Sequence, residues 1–86
     1  MPSSIILRPQ AKRFLDKLRD PVLYARLRTA INGLADNPRP PSCVKLFQED
    51  PLYRVRVGDY RIVYQIRDAA LLVIVVEIGH RREIYR

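Results

Sequence analysis

Eighty-six residues, 16 of them Lys or Arg against 9 Asp or Glu, make one small domain, 1–86, with a formal net charge of +7 at pH 7. One cysteine (Cys43) and one histidine (His80) exclude a disulfide framework and a metal cluster, and the longest uncharged apolar run, 69–76, is far too short to span a membrane. A hydrophobic content of 48% with three glycines describes a packed core, not a basic tail, so the excess charge points to a polyanionic partner of a soluble, cytoplasmic protein.

The N-terminal segment Ser4–Arg8 reads as a short strand ended by Pro9, which can occupy the first turn of a helix. Ala11, Phe14, Leu15 and Leu18 recur at spacings of three and four, the stripe of an amphipathic helix. Asp20-Pro21 restarts the pattern as N-cap and first helical residue. Leu23, Leu27, Ala30, Ile31 and Leu34 mark the second stripe, and Asn37-Pro38 ends it. Pro38, Pro40 and Pro41 then make a stiff crossover. Beyond it the period falls to two. Val44–Phe47 is a short extended segment, Gln48–Pro51 a turn, and Leu52–Val57, Tyr60–Arg67 and Leu71–Ile78 are strands rich in Val, Ile and Tyr. Gly58-Asp59 fits a two-residue hairpin turn, and Asp68-Ala69-Ala70 closes the next. The last strand is apolar on both faces apart from Glu77, which places it inside the sheet. The expected class is α+β in the order β-α-α-β-β-β, with an antiparallel-rich sheet packed on a two-helix hairpin and its other face open.

A two-residue turn fixes the register of the first hairpin: Arg56 faces Arg61, Val55 faces Ile62 and Arg54 faces Val63. Tyr53, Val55, Val57, Tyr60, Ile62 and Tyr64 then share the face that meets the helices. Arg54, Arg56 and Arg61 share the other, with the nearest acidic residues expected in the turns. Like charges set opposite each other destabilise a sheet. Their retention suits a phosphate site, because arginine forks match phosphate oxygens bidentately. Gly79 is expected to turn the chain out of the sheet and bring His80, Arg81 and Tyr85 to the edge of that face.

Three segments carry a family resemblance: Tyr53-Arg54-Val55-Arg56-Val57, Asp59-Tyr60-Arg61-Ile62-Val63-Tyr64-Gln65-Ile66, and Val76-Glu77-Ile78-Gly79-His80-Arg81-Arg82-Glu83-Ile84-Tyr85. Together they resemble the RelE toxins of the RelE/ParE superfamily of bacterial toxin–antitoxin systems, over nearly the whole chain. The resemblance implies a compact fold like that of small microbial ribonucleases. It also implies an mRNA interferase that cuts message in the ribosomal decoding site, is held inactive by a RelB-like antitoxin, and meets operator DNA only through the antitoxin complex. By motif position Arg54 and Arg56 fall on the family's strand lysines or arginines, Arg61 on its strand arginine, Arg81 on its C-terminal arginine and Tyr85 on its terminal tyrosine. The best-known member has lysines where Arg54 and Arg56 stand.

Metal-independent RNA cleavage by the 2′-hydroxyl needs a base, charge stabilisation at phosphorus and an acid for the leaving 5′-oxygen. Arginines supply the second, but with a pKa above about 12 they are poor proton carriers near neutrality. Tyr85 or His80 is therefore expected to take more of the proton transfer, with Arg82 a further candidate contact. A second reading is a ParE-like inhibitor of DNA gyrase that acts by protein binding; a third is a basic module that only binds RNA.

Overall fold

The computed structural model describes residues 2–46 and 51–80. Along the chain run β1 (Ser4–Leu7), α1 (Pro9–Lys17), α2 (Pro21–Asp36), β2 (Val44–Leu46), β3 (Leu52–Val57), β4 (Tyr60–Arg67) and β5 (Leu72–His80). The strands form one sheet in the order β1-β5-β4-β3-β2, with β1 parallel to β5 and every other neighbouring pair antiparallel. The α+β expectation holds, with the short segment at Val44–Leu46 paired as a fifth strand. Among the described residues no helix is long and apolar enough to cross a membrane.

Both helices open on proline. Pro21 follows Asp20, whose carboxylate accepts from the Val22 and Leu23 N–H groups at 3.0 and 3.1 Å. That cap contributes about 0.5–2 kcal/mol. Arg8 gives α1 no side-chain cap; its N–H instead donates to Val75 O at 2.9 Å, so the helix starts as the chain leaves the sheet. Ala11 and Leu15 of α1 and Leu27, Ile31 and Leu34 of α2 are buried against Val55, Val57, Ile62, Tyr64, Val73, Val75 and Ile78. These sheet residues all belong to the helix-facing side, which is therefore the core.

Gly58 has φ +61 and Asp59 has no positive φ, the II′ pattern that matches the twist of paired strands. The next hairpin is wider than expected. Leu71 belongs to the turn, not to the strand: its N–H donates to Asp68 O at 3.1 Å and its φ is +50. A left-handed conformation costs a leucine roughly 1–2 kcal/mol, against about 0.5–1 kcal/mol of extra backbone entropy for glycine. Leu71→Gly is therefore expected to stabilise the fold by roughly 0.5–1 kcal/mol, seen as a raised midpoint in thermal or urea unfolding. An unchanged or lower midpoint would show that the turn is not strained.

The proline-rich crossover is tied to the sheet by side chains. Tyr64, fully buried, donates its hydroxyl to Pro38 O at 2.7 Å and stacks on Tyr53 with ring centroids 5.8 Å apart. Arg39 lies 5.5 Å over the Tyr53 ring and makes a bidentate pair with Asp68, at 3.1 and 3.0 Å. The hydrogen bonds and charge of Arg39 hold the Asp68 carboxyl below its usual range, but both groups are exposed and the pair adds little to stability.

Candidate functional site: the open face of the sheet

Directly paired residues of antiparallel strands lie on the same side of a sheet, and alternate residues along a strand share a face. Arg56 pairs with Arg61 and Arg61 with Gly79, a row that crosses β3, β4 and β5. Arg54 pairs with Val63 and Val63 with Glu77, the next row but one. Between them runs Val55–Ile62–Ile78, buried under the helices. The six residues of the two outer rows thus project from the side on which no described helix lies.

This face is a shallow grid two residues deep and three strands wide. At the usual strand spacing of about 4.8 Å it measures roughly 10 Å from β3 to β5, room for one phosphodiester and its ribose. Val63 forms part of the floor and is only 4% exposed although it points away from the core. Arg54 stands across from it and Arg61 two residues along. The Nε atoms of Arg54 and Arg61 are out of contact with solvent, whereas Arg56 is exposed. Arg54 and Arg61 both flank Val63 on this face, and arginine stems bury along such apolar surface while their charged heads stay polar. Gly58 and Asp59 fix the register that brings Arg56 beside Arg61, so the charge density of the face follows from a two-residue turn.

Arg54, Arg56 and Arg61 come together as the alternation requires. His80 does not join them. Gly79 has no positive φ and β5 continues straight through it, so His80 stays paired with Tyr60 on the helix side of the sheet. Its ring meets Tyr60 edge-on at 5.4 Å, and Tyr60 in turn meets Phe14 of α1 at 5.9 Å. The expectation that the chain turns out of the sheet at Gly79 and delivers His80 to the arginine face is corrected accordingly. Arg81, Arg82 and Tyr85 lie outside the described residues.

Glu77 is the residue that sequence reasoning missed. The acidic groups nearest the arginines are expected in the turns, yet this carboxylate of β5 sits on the arginine face itself. The cause is a bulge. From Arg67↔Leu72 to Tyr64↔Val75 the pairing is regular; beyond it Val63 pairs with Glu77, leaving Val76 as an extra residue. Had the regular register continued, Val76 would pair with Val63, and Glu77 would stand opposite Ile62 and point into the core. Bulges commonly re-aim side chains beside functional sites. The available signal was the lone charge in an otherwise apolar strand.

With the geometry in place, comparison with known proteins gives a consistent result. Residues 5–85 match the family described as the ParE toxin of the type II toxin–antitoxin system parDE. Toxin RelG of Mycobacterium tuberculosis is 29% identical over 86 residues, covering 100% of this chain and 99% of that protein. The RelE–RelB complex of the archaeon Pyrococcus horikoshii contains a chain of TM-score 0.82 and 25% identity, covering 96% of this chain and 99% of that one. The RelBE2 toxin–antitoxin complex of M. tuberculosis gives 0.78 at 26% identity, covering 94% and 100%. The isolated RelE toxin of Escherichia coli shares the fold at TM-score 0.77 and 21% identity, over 91% of this chain and 83% of that one.

Proposed function

We propose, given that this chain belongs to the ParE toxin family of type II toxin–antitoxin systems, that its arginine face cleaves messenger RNA on the ribosome. The observation that carries the reading is the grouping of Arg54, Arg56 and Arg61 on the open face, where Arg54 and Arg61 flank the buried Val63 and have Nε atoms out of contact with solvent. Attack of a 2′-hydroxyl on the adjacent phosphate builds negative charge on the phosphorane oxygens, and fixed guanidinium groups are worth most where charge develops. A substrate defined by its 2′-hydroxyl is RNA and not DNA. Arg81 and Tyr85 join this set by motif position, Arg81 as a further cation and Tyr85 as a phenol able to stack on a splayed base or move a proton. Arg82 is an additional RNA contact. His80, on the helix side, is not part of this proposal.

A site this shallow cannot hold a flexible strand in line for attack by itself. The small-subunit decoding site can, because it presents message in a fixed path, and positioning lowers a barrier substantially. The flatness of the grid supports ribosome dependence. The partner that restrains the toxin is a RelB-like antitoxin: the relatives from P. horikoshii and M. tuberculosis occur in RelE–RelB and RelBE2 complexes. A chain of net charge +7 with a cationic face also complements an acidic polypeptide. Operator DNA would be met through that complex, and the setting is the cytoplasm.

Primer extension on a defined message, with and without translating ribosomes, tests the reading. Cuts at fixed positions within codons, present only with ribosomes, are expected. The family's description as ParE favours one competing reading, inhibition of DNA gyrase by protein binding. Intact message together with accumulated DNA breaks during growth arrest would select it.

A further inference from the structure

Cleavage at this face needs a group that can remove the 2′-hydroxyl proton, and a guanidinium is unsuited to that task. Among the described residues Glu77 is the one carboxylate that the strand register places in the grid. It is half-buried, stands across β4 from Arg54 with Val63 between, and lies diagonal to Arg61. It has no hydrogen-bond or ion-pair partner among the described residues. It is also held firmly. The Gln10 amide of α1 closes both backbone bonds of the adjacent Ile78, donating to its carbonyl and accepting from its N–H at 2.9 Å each. This side-chain pair takes over where β1, paired only with Leu72–Val75, has ended. The strand carrying Glu77 is thus fixed on both edges at the point where the bulge turns the carboxylate outward.

We propose that Glu77 is the general base of the cleavage, an assignment that rests on the mRNA-cleaving reading above. Diagonal cross-strand neighbours stand about 7–8 Å apart at the backbone, so a phosphate held by Arg61 puts its ribose 2′-oxygen within reach of the Glu77 carboxylate. Glu77 accepts the 2′-hydroxyl proton as the 2′-oxygen attacks phosphorus. The P–O5′ bond breaks and its electron pair leaves on the 5′-oxygen, which takes a proton from a solvent water. The hydroxide so formed is neutralised by the proton that Glu77 then releases. The products are a 2′,3′-cyclic phosphate and a 5′-hydroxyl end, and no electrons are exchanged with an oxidant or reductant.

The test compares wild-type toxin with Glu77→Gln, Glu77→Asp and Glu77→Ala on translating ribosomes in single-turnover assays, with thermal melts as a check on folding. Glu77→Gln is expected to slow cleavage by about 10²–10⁴-fold, the usual range for a lost general base. Its binding of a 2′-O-methylated, uncleavable message should be as tight as wild type or tighter, since a negative charge has left a cationic face. Glu77→Asp should retain part of the activity, and added formate should restore part of it to Glu77→Ala. A structural role would produce neither recovery. Cleavage by folded Glu77→Gln at the wild-type rate overturns the assignment and leaves the nuclease reading standing; failure of the wild-type chain to cut overturns both. If the glutamine variant fails to fold, activity in the aspartate variant together with formate rescue of the alanine variant supports the assignment, and the absence of both overturns it.

Discussion

Arg61→Met is expected to lower mRNA cleavage by on the order of 10²–10³-fold, the loss seen when one preorganised donor to a developing oxyanion is removed. Arg61 is the middle residue of its row, paired with Arg56 on one side and Gly79 on the other. It is also diagonal to both Arg54 and Glu77, so it reaches more of the grid than any other cation on it. Methionine keeps an unbranched apolar stem beside Val63 and removes the charge, which separates electrostatics from packing. Relief of the Arg56–Arg61 repulsion is worth up to roughly 1 kcal/mol, which offsets part of what the other interactions of Arg61 contribute to stability. The informative result is therefore a loss of cleavage far larger than the loss of stability, with the chain still folded at the assay temperature. Equal losses of activity and stability would mark Arg61 as a structural residue, and cleavage within a few-fold of wild type would remove the electrostatic basis of the mechanism.

The same contrast explains which parts of the fold were legible from the amino-acid order. The β3–β4 hairpin was read to the residue because Gly58-Asp59 admits one short turn, and a two-residue turn leaves no freedom in register. The helices were equally plain, their boundaries set by Pro9, Asp20-Pro21 and Asn37-Pro38. β5 was not. Leu72–Val76 is a run of branched apolar residues in which neither face is marked, so an extra residue at Val76 leaves no trace in the pattern. That one residue reverses the facing of everything after it: Ile78 turns inward, and Glu77 and Gly79 turn out. The placement of His80 failed for a related reason. Gly79 was read as a turn residue for its flexibility, whereas in the sheet it supplies a strand position without a side chain, next to Arg61. The parallel pairing of β1 with β5 was also unmarked, because Ser4–Leu7 carries no charge or turn that fixes a partner.

Tyr64 gives the largest effect on stability. It lies in the strand that carries Arg61, fills the core between β3, β5 and the crossover, and satisfies the Pro38 carbonyl. Tyr64→Ala is expected to cost about 3–5 kcal/mol, a large share of the roughly 5–15 kcal/mol that stabilises a domain, and to leave much of the chain unfolded. Tyr64→Phe keeps the ring on Tyr53 and removes only the hydroxyl, which leaves a carbonyl unpaired at about 1–3 kcal/mol. The two variants also differ in their response to alkali. Burial first, and then the neighbouring Cys43 and Tyr53, push the Tyr64 phenol well above its ordinary value. The folded chain therefore keeps a proton that the unfolded chain loses from about pH 10 upward. Because the folded state binds more protons there, its stability falls as pH rises, and it is fully retained below the unfolded value. Urea unfolding from pH 8 to pH 11.5 is expected to show a steeper loss of midpoint in wild type than in Tyr64→Phe. Since phenylalanine cannot titrate, parallel curves would mean that the Tyr64 hydroxyl ionises as easily in the folded chain as in the unfolded one, contrary to its burial against Pro38.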